Sequence, residues 1–449
     1  MNSSAMSDLG ATGERAPTVT PTVMGWLVPR AFAVLCLFCC TQGPVFHLRF
    51  KLDFPDGFYL SDPLVVLGYT GLWAIAIAYA WSAREAIRSL GLALYLPLLF
   101  CAYALASSMW SEQQPRTIIY SVLLTGTTAF ALWFGTYFST VAQIAMIFCA
   151  MQLGSLLSLI AVSRGSFLSL DVANNWTGIY INRNSLAPVA ALGLASTAAL
   201  LVIAVGSPEL QPRLKVGLLL PLAALAYIDV LLIHRSHSAT SIGGLIAAIC
   251  AAALYGVWRL VLRRGARQAS SRLVTLAHIS FLTGLLAAWS LRHRLIELAL
   301  RDPTINGRTK IWAVVLDWIH EEPWFGHGWM SVWGIPERQA LVATIDNPTI
   351  PFAHNGILEA ALGMGWPGAF VLVITMALIL LLASERLLRG DSWIALWGLA
   401  MIVYSVFVSQ FEGFFDANQI PWILAIAAGA SAAHLPAKYD RTHHGASDL

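Results

Sequence analysis

An all-α polytopic membrane protein of about twelve transmembrane helices is the fold class this sequence predicts, and three observations predict it. Only 11% of its 449 residues carry a formal charge, against roughly 25% in soluble domains. Mean hydropathy is +0.68, with 57% of residues apolar or aromatic. The apolar residues also gather in blocks of about 18 to 25, the helix length that crosses roughly 30 Å of hydrocarbon. The net charge of +3 is too small and too dispersed for a nucleic-acid binder.

The elements follow in chain order. Residues 1–23 are rich in Ser, Thr and Pro and lack an apolar core with a cleavage site, so a disordered cytoplasmic tail is expected rather than a signal peptide. Residues 24–436 are expected to form one integral-membrane domain in the lipid bilayer. Its spans lie near 24–44, 62–82, 91–110, 117–138, 140–162, 185–206, 214–233, 239–260, 272–291, 355–384, 391–410 and 418–436. Each is expected to be helical because lipid offers no partner to an open backbone N–H or C=O. Arg84 and Arg88, Arg213 and Lys215, Arg259 to Arg272, Arg386 and Arg389, and Lys438 and Arg441 all fall on one side, which the positive-inside rule makes cytoplasmic. Residues 292–354 then form one long extracytoplasmic loop, and 437–449 a second cytoplasmic tail. All six cysteines lie inside predicted spans, where a free Cys behaves as a small hydrophobe. The Cys36-x-x-Cys39-Cys40 cluster has no second pair at zinc-finger spacing, so no metal is expected.

Polar residues on the outer side are few. The stretch Asn174 to Ser185 ends where the sixth span begins, so Asn182 or Asn184 caps that helix, with Arg183 beside its first N–H groups. An anion site and an ordinary cap with a snorkelling Arg183 are both compatible with this. The seventh span closes on His234-Arg235-Ser236-His237-Ser238. His234 and His237 could share a metal at that spacing, but a third ligand is missing and a hydrogen-bonded turn is expected. In the long loop, Ile311, Trp312, Val315, Leu316 and Ile319 recur at helical spacing before Pro323. A short amphipathic helix on the membrane surface is expected there, with Arg308 in its first turn. A cation at that place opposes the helix dipole, which points to a ligand role for Arg308.

His354-Asn355 opens the tenth span, which is interrupted by Gly363, Gly365, Pro367 and Gly368. An imidazole at the mouth of a broken helix suits a general base. Glu359 falls inside the span, where acids are usually paired or functional, and Glu412 and Asp416 precede the last span. Trp324, Trp329 and Trp333 are candidates for stacking on sugars, with the interfacial belt as their commoner fate.

Several of these blocks resemble a known family. Gly178 to Leu186, Ser236-x-Ser238-Ala239-Thr240-Ser241, Gly307-Arg308-Thr309-x-x-Trp312, Pro323-Trp324-Phe325-Gly326-His327-Gly328 and Ala353-His354-Asn355-Gly356-x-Leu358-Glu359 occur in the order seen in the O-antigen ligase and polymerase superfamily. The stretch from Glu412 to Trp422 is most similar to its exopolysaccharide-polymerase (ExoQ-like) branch. The resemblance implies a GT-C-like fold in the bacterial inner membrane and an active site on the extracytoplasmic face. It implies an undecaprenyl-pyrophosphate-linked oligosaccharide donor, a glycan acceptor and no cofactor. A chain-length regulator and a flippase of the same pathway are further implied partners. Carried over residue by residue, it makes His354 catalytic and Arg183, Arg308 and, more loosely, Arg235 ligands of the donor pyrophosphate. Asn184, Asn355, Glu359 and Glu412 stand as supporting residues. The first block reads Asn182-Arg183-Asn184 where the family usually has Gly-His-Lys-Asn.

The chemistry agrees with the resemblance. A pyrophosphate diester gains negative charge as the sugar departs, so guanidinium groups stabilise the transition state more than the substrate. No Asp-x-Asp pair stands on the outer side to hold an obligatory metal. The expected activity is therefore inverting, metal-independent transfer by a polymerase, with a ligase as the alternative within the class. A transporter of the same lipid-linked sugar is the alternative of another class. Against it, the span centres are nearly free of charge, Asp229 excepted, and the halves show no repeat.

Overall fold

The structure is a computed structural model. It describes residues 23–44, 62–166, 169–171, 173–208, 210–265, 275–276, 278–280, 283, 308–344, 352–389, 394–413 and 417–434. Apart from Val23, the two predicted tails lie outside the described residues, as does most of the predicted span 272–291.

The described chain is helical, as lipid requires. Along the sequence run α1 (Val23–Cys40), α2 (Pro63–Ser82), the short α3 (Arg84–Arg88), α4 (Leu92–Ala106), α5 (Gln114–Tyr137), α6 (Thr140–Ser163), α7 (Arg183–Gly206), α8 (Pro212–Ser236) and α9 (Ala239–Gly265). After the gap come α10 (Arg308–Glu321), α11 (Pro336–Ala343), α12 (Gly356–Arg389), α13 (Ala395–Val408) and α14 (Ile420–Ala433). Eleven of the predicted spans thus have a helix at their place among the described residues. Nine are long and apolar enough to cross a membrane, while α13 and α14 have only 14 residues each. The reason is position. These two pack on each other and between α5, α9 and α12, so protein surrounds most of their length. Gly135 shows how closely: a Cβ there would stand 2.4 Å from the Ala427 carbonyl oxygen, the small-residue contact typical of packed membrane helices.

The long loop carries more structure than the sequence predicts. The expected amphipathic helix is α10, and its apolar face is turned onto protein. Arg308, Ile311, Val315, Trp318 and Ile319 are buried, and α10 packs on α12. A moment alone does not say whether an apolar face meets lipid or protein, and here protein covers it. A one-turn helix, Val332–Gly334, and α11 follow it. The interruption expected in the tenth span sits at Gly365, whose φ of +69° breaks α12 into two helical parts across a kink. A Cβ at Gly365 would fall 2.4 Å from the Trp324 carbonyl, so the break also seats the loop against α12.

Candidate functional site

Three segments far apart in sequence meet where α12 begins. Asn355 caps the helix, its Oδ1 accepting the N–H groups of Ile357 at 3.0 Å and Leu358 at 3.1 Å. One residue earlier His354 has φ of +49°, in the left-handed region that side chains seldom enter. Such a conformation costs about 1–3 kcal/mol and persists only where the surroundings over-determine it. Three bonds do so. Ala353 N–H donates to Glu359 Oε2 at 2.9 Å, and the Ala353 carbonyl accepts Trp312 Nε1 at 2.9 Å. Gly356 N–H donates to the Ser409 carbonyl at 2.7 Å. The turn is thereby fastened to α10, to α12 and to the segment after α13.

On this turn the His354 Nδ1 lies 3.1 Å from Glu412 Oε2. The other Glu412 oxygen accepts a hydrogen bond from Arg308 Nη2, at the start of α10. Arg308 and Glu412 side chains are 7% and 9% exposed, and His354 is 18% exposed. Burial pushes the Glu412 carboxyl up, but the Arg308 charge and the His354 hydrogen bond outweigh it and hold the group below its ordinary value. An ionised carboxylate only accepts, so the neutral imidazole carries its proton on Nδ1 and keeps its lone pair on Nε2. That is the tautomer a general base needs.

A second group stands at the same end. Asn182 Oδ1 accepts Ser185 N–H at 2.9 Å and caps α7, which places the half-buried Arg183 at its first position. Asn184 Oδ1 instead accepts the Ser238 hydroxyl at 3.0 Å, tying α7 to the turn between α8 and α9. On that turn Arg235 lies over the Trp176 ring at 5.5 Å, and its carbonyl accepts Trp176 N–H at 3.1 Å. His237 N–H bonds the His234 carbonyl, giving the hydrogen-bonded turn. Gly243 and Gly244 of α9 abut Phe407 and Val408 of α13, and α13 leads directly into Glu412. Arg183 and Arg235 thus share an end of the bundle with His354, although no described contact joins the two groups.

Some expectations change. Trp329 and Trp333 are 1% and 0% exposed, so neither is free to stack on a sugar; of the three only Trp324 is open, at 69%. The Trp333 indole donates to Glu359, whose buried carboxylate therefore holds the loop and the His354 turn together. Two residues named or passed over in the sequence without a role acquire one in the structure. Trp312 lies one helical turn beyond Arg308 on the same face, a spacing present in the Gly-Arg-Thr block. Asn418 is fully buried, accepts Trp73 Nε1 at 2.7 Å and donates its N–H to Thr127 at 3.1 Å, anchoring the segment after Glu412. It lies within the Glu412 to Trp422 stretch, but no spacing there marks this residue as an anchor.

Residues 222–373 match the family model described as O-antigen ligase. The matched third of the chain includes Arg235, Arg308, His354, Asn355 and Glu359 and leaves out Arg183, Asn184 and Glu412. The match supports the O-antigen ligase and polymerase superfamily and a membrane glycan ligase or polymerase type of function. A lipid-linked glycan donor and a glycan acceptor follow from that family. No curated protein matches the chain.

Proposed function

We propose that the protein is a glycosyltransferase that moves an oligosaccharide from undecaprenyl pyrophosphate to a sugar hydroxyl, acting as the polymerase of an exopolysaccharide or O-antigen-like chain. The observation that carries the reading is the continuous link Arg308–Glu412–His354. Glu412 orients the imidazole through Nδ1, and Nε2 takes the proton of the acceptor hydroxyl. The acceptor oxygen then bonds the anomeric carbon from the face opposite the pyrophosphate, which departs with the electron pair of the broken C–O bond, inverting the centre. Arg308 spends one edge on Glu412, and the rest of its guanidinium is available to phosphate oxygens. Arg183 and Arg235 supply two further cations at the same end of the bundle. With charge on the leaving group met by guanidinium, the reading requires no metal. It places the site on the extracytoplasmic face of the plasma membrane, opposite the Arg-rich ends of the helices.

In liposomes supplied with lipid-linked repeat units, the protein is expected to form longer carrier-linked chains. His354→Ala is expected to lower turnover by about 10²- to 10⁴-fold, the usual contribution of a general base, while donor binding is retained. Arg308→Ala is expected to weaken binding and turnover together. Chain growth by His354→Ala at the wild-type rate would overturn the assigned base. The description of the matched family favours a ligase as the second reading. A deletion strain that still builds long carrier-linked polymer but fails to attach it would establish that reading. Movement of lipid-linked units between leaflets without new glycosidic bonds would instead show a transporter.

A further inference from the structure

At the end of the bundle opposite His354, a cavity of about 430 Å³ lies among α5, α6, α12, α13 and α14. Its size falls within the roughly 300–1,000 Å³ of small-molecule sites. The walls are largely small or aliphatic, Gly398, Met401, Leu424 and Ala428 among them. A Cβ on Gly398 would meet Ala428 at 3.7 Å, an ordinary van der Waals contact, so α13 and α14 close on each other there without a clash and form one wall of the cavity. One side chain of the lining is a cation, Arg386. Its Nη1 donates to the carbonyls of Ser431, Ala432 and His434, the last at 2.8 Å, which fixes the guanidinium across the end of α14. Those bonds use none of the Nε or Nη2 hydrogens, and no described carboxylate pairs with Arg386.

A fixed guanidinium at one end of an apolar cavity, level with the last turns of two membrane helices, is matched by a molecule with an anionic head and an aliphatic tail. Phosphate is the anion a guanidinium holds best, and basic pockets between membrane helices recognise anionic lipid head groups. We propose that this cavity binds one anionic phospholipid, its phosphate on Arg386 and an acyl chain along the apolar wall of Ile147, Met401 and Leu424. The site is separate from the His354 group and stands whether or not the glycosyl-transfer reading does.

The test is native mass spectrometry of the purified full-length protein in detergent, titrated with dioleoylphosphatidylglycerol or dioleoylphosphatidylcholine. One phosphatidylglycerol is expected to be retained in preference to phosphatidylcholine. Arg386→Gln is expected to weaken retention by about tenfold, the loss of one charge-assisted pair. Because Arg386 also caps α14, Gly398→Leu provides the independent arm: it fills the cavity, leaves Arg386 in place and is expected to abolish retention without lowering the lipid-free unfolding temperature. Equal retention of the two lipids, or undiminished phosphatidylglycerol binding by a folded Gly398→Leu protein, would show annular lipid only and overturn the proposal.

Discussion

Glu412 does more in the structure than its place in the sequence suggests. As one of two carboxylates before the last span it has no evident partner, yet it accepts from Arg308 on one oxygen and faces His354 on the other. Glu412→Gln keeps the shape but substitutes a neutral amide that no longer holds the Nδ1–H tautomer. It is expected to lower kcat by about 10²- to 10⁴-fold with a smaller change in KM, read from initial rates of chain growth. Acid should have a related effect. The folded Glu412 carboxyl lies below its ordinary value of 4.5. The stabilisation from its ionised pairs is therefore complete above that value and is lost as pH falls through the depressed one. Thermal unfolding in detergent should decline over that acid range in the wild type, and by less in Glu412→Gln.

At the scale of elements, the long loop is held to α12 by features that a sequence displays without explaining. Gly363-x-Gly365 announces a broken helix, but only the structure shows the Trp324 backbone filling the break. Gly365→Ala meets both an unfavourable φ and a carbonyl 2.4 Å away and is expected to destabilise the protein by about 1–3 kcal/mol. Trp333→Phe removes an indole donor from the buried Glu359, at a cost of about 1–3 kcal/mol for a partner left unsatisfied. Both are measurable as lower unfolding temperatures. If Glu359 positions the His354 turn, Trp333→Phe should also reduce kcat more than it raises KM. The amphipathic pattern of α10 was legible, but not the surface that covers it. Hydrophobic spacing records that a face is buried and is silent on whether lipid or another helix, here α12, buries it.

For the whole molecule, the alternation of spans places the α11 loop and the α3 turn on opposite sides of the membrane. With the native cysteines replaced, a Cys at the exposed position 337 is expected to react with a membrane-impermeant maleimide in intact cells, and one at the exposed position 88 only after permeabilisation. Labelling in the reverse order would move the His354 site to the cytoplasmic side and end the proposed donor chemistry. The sequence by itself determined the class of molecule, because a chain with 11% charge can fold only where lipid covers its surface. It also determined the place of eleven helices, through the length that hydrocarbon imposes, and a short set of polar residues at one end. What only the tertiary structure decided was their pairing. Arg308, Glu412 and His354 are joined across more than a hundred residues by the packing of α10 and α13 around the start of α12. Hydrogen bonds between distant segments leave no periodic trace in a chain, whereas burial in a membrane does.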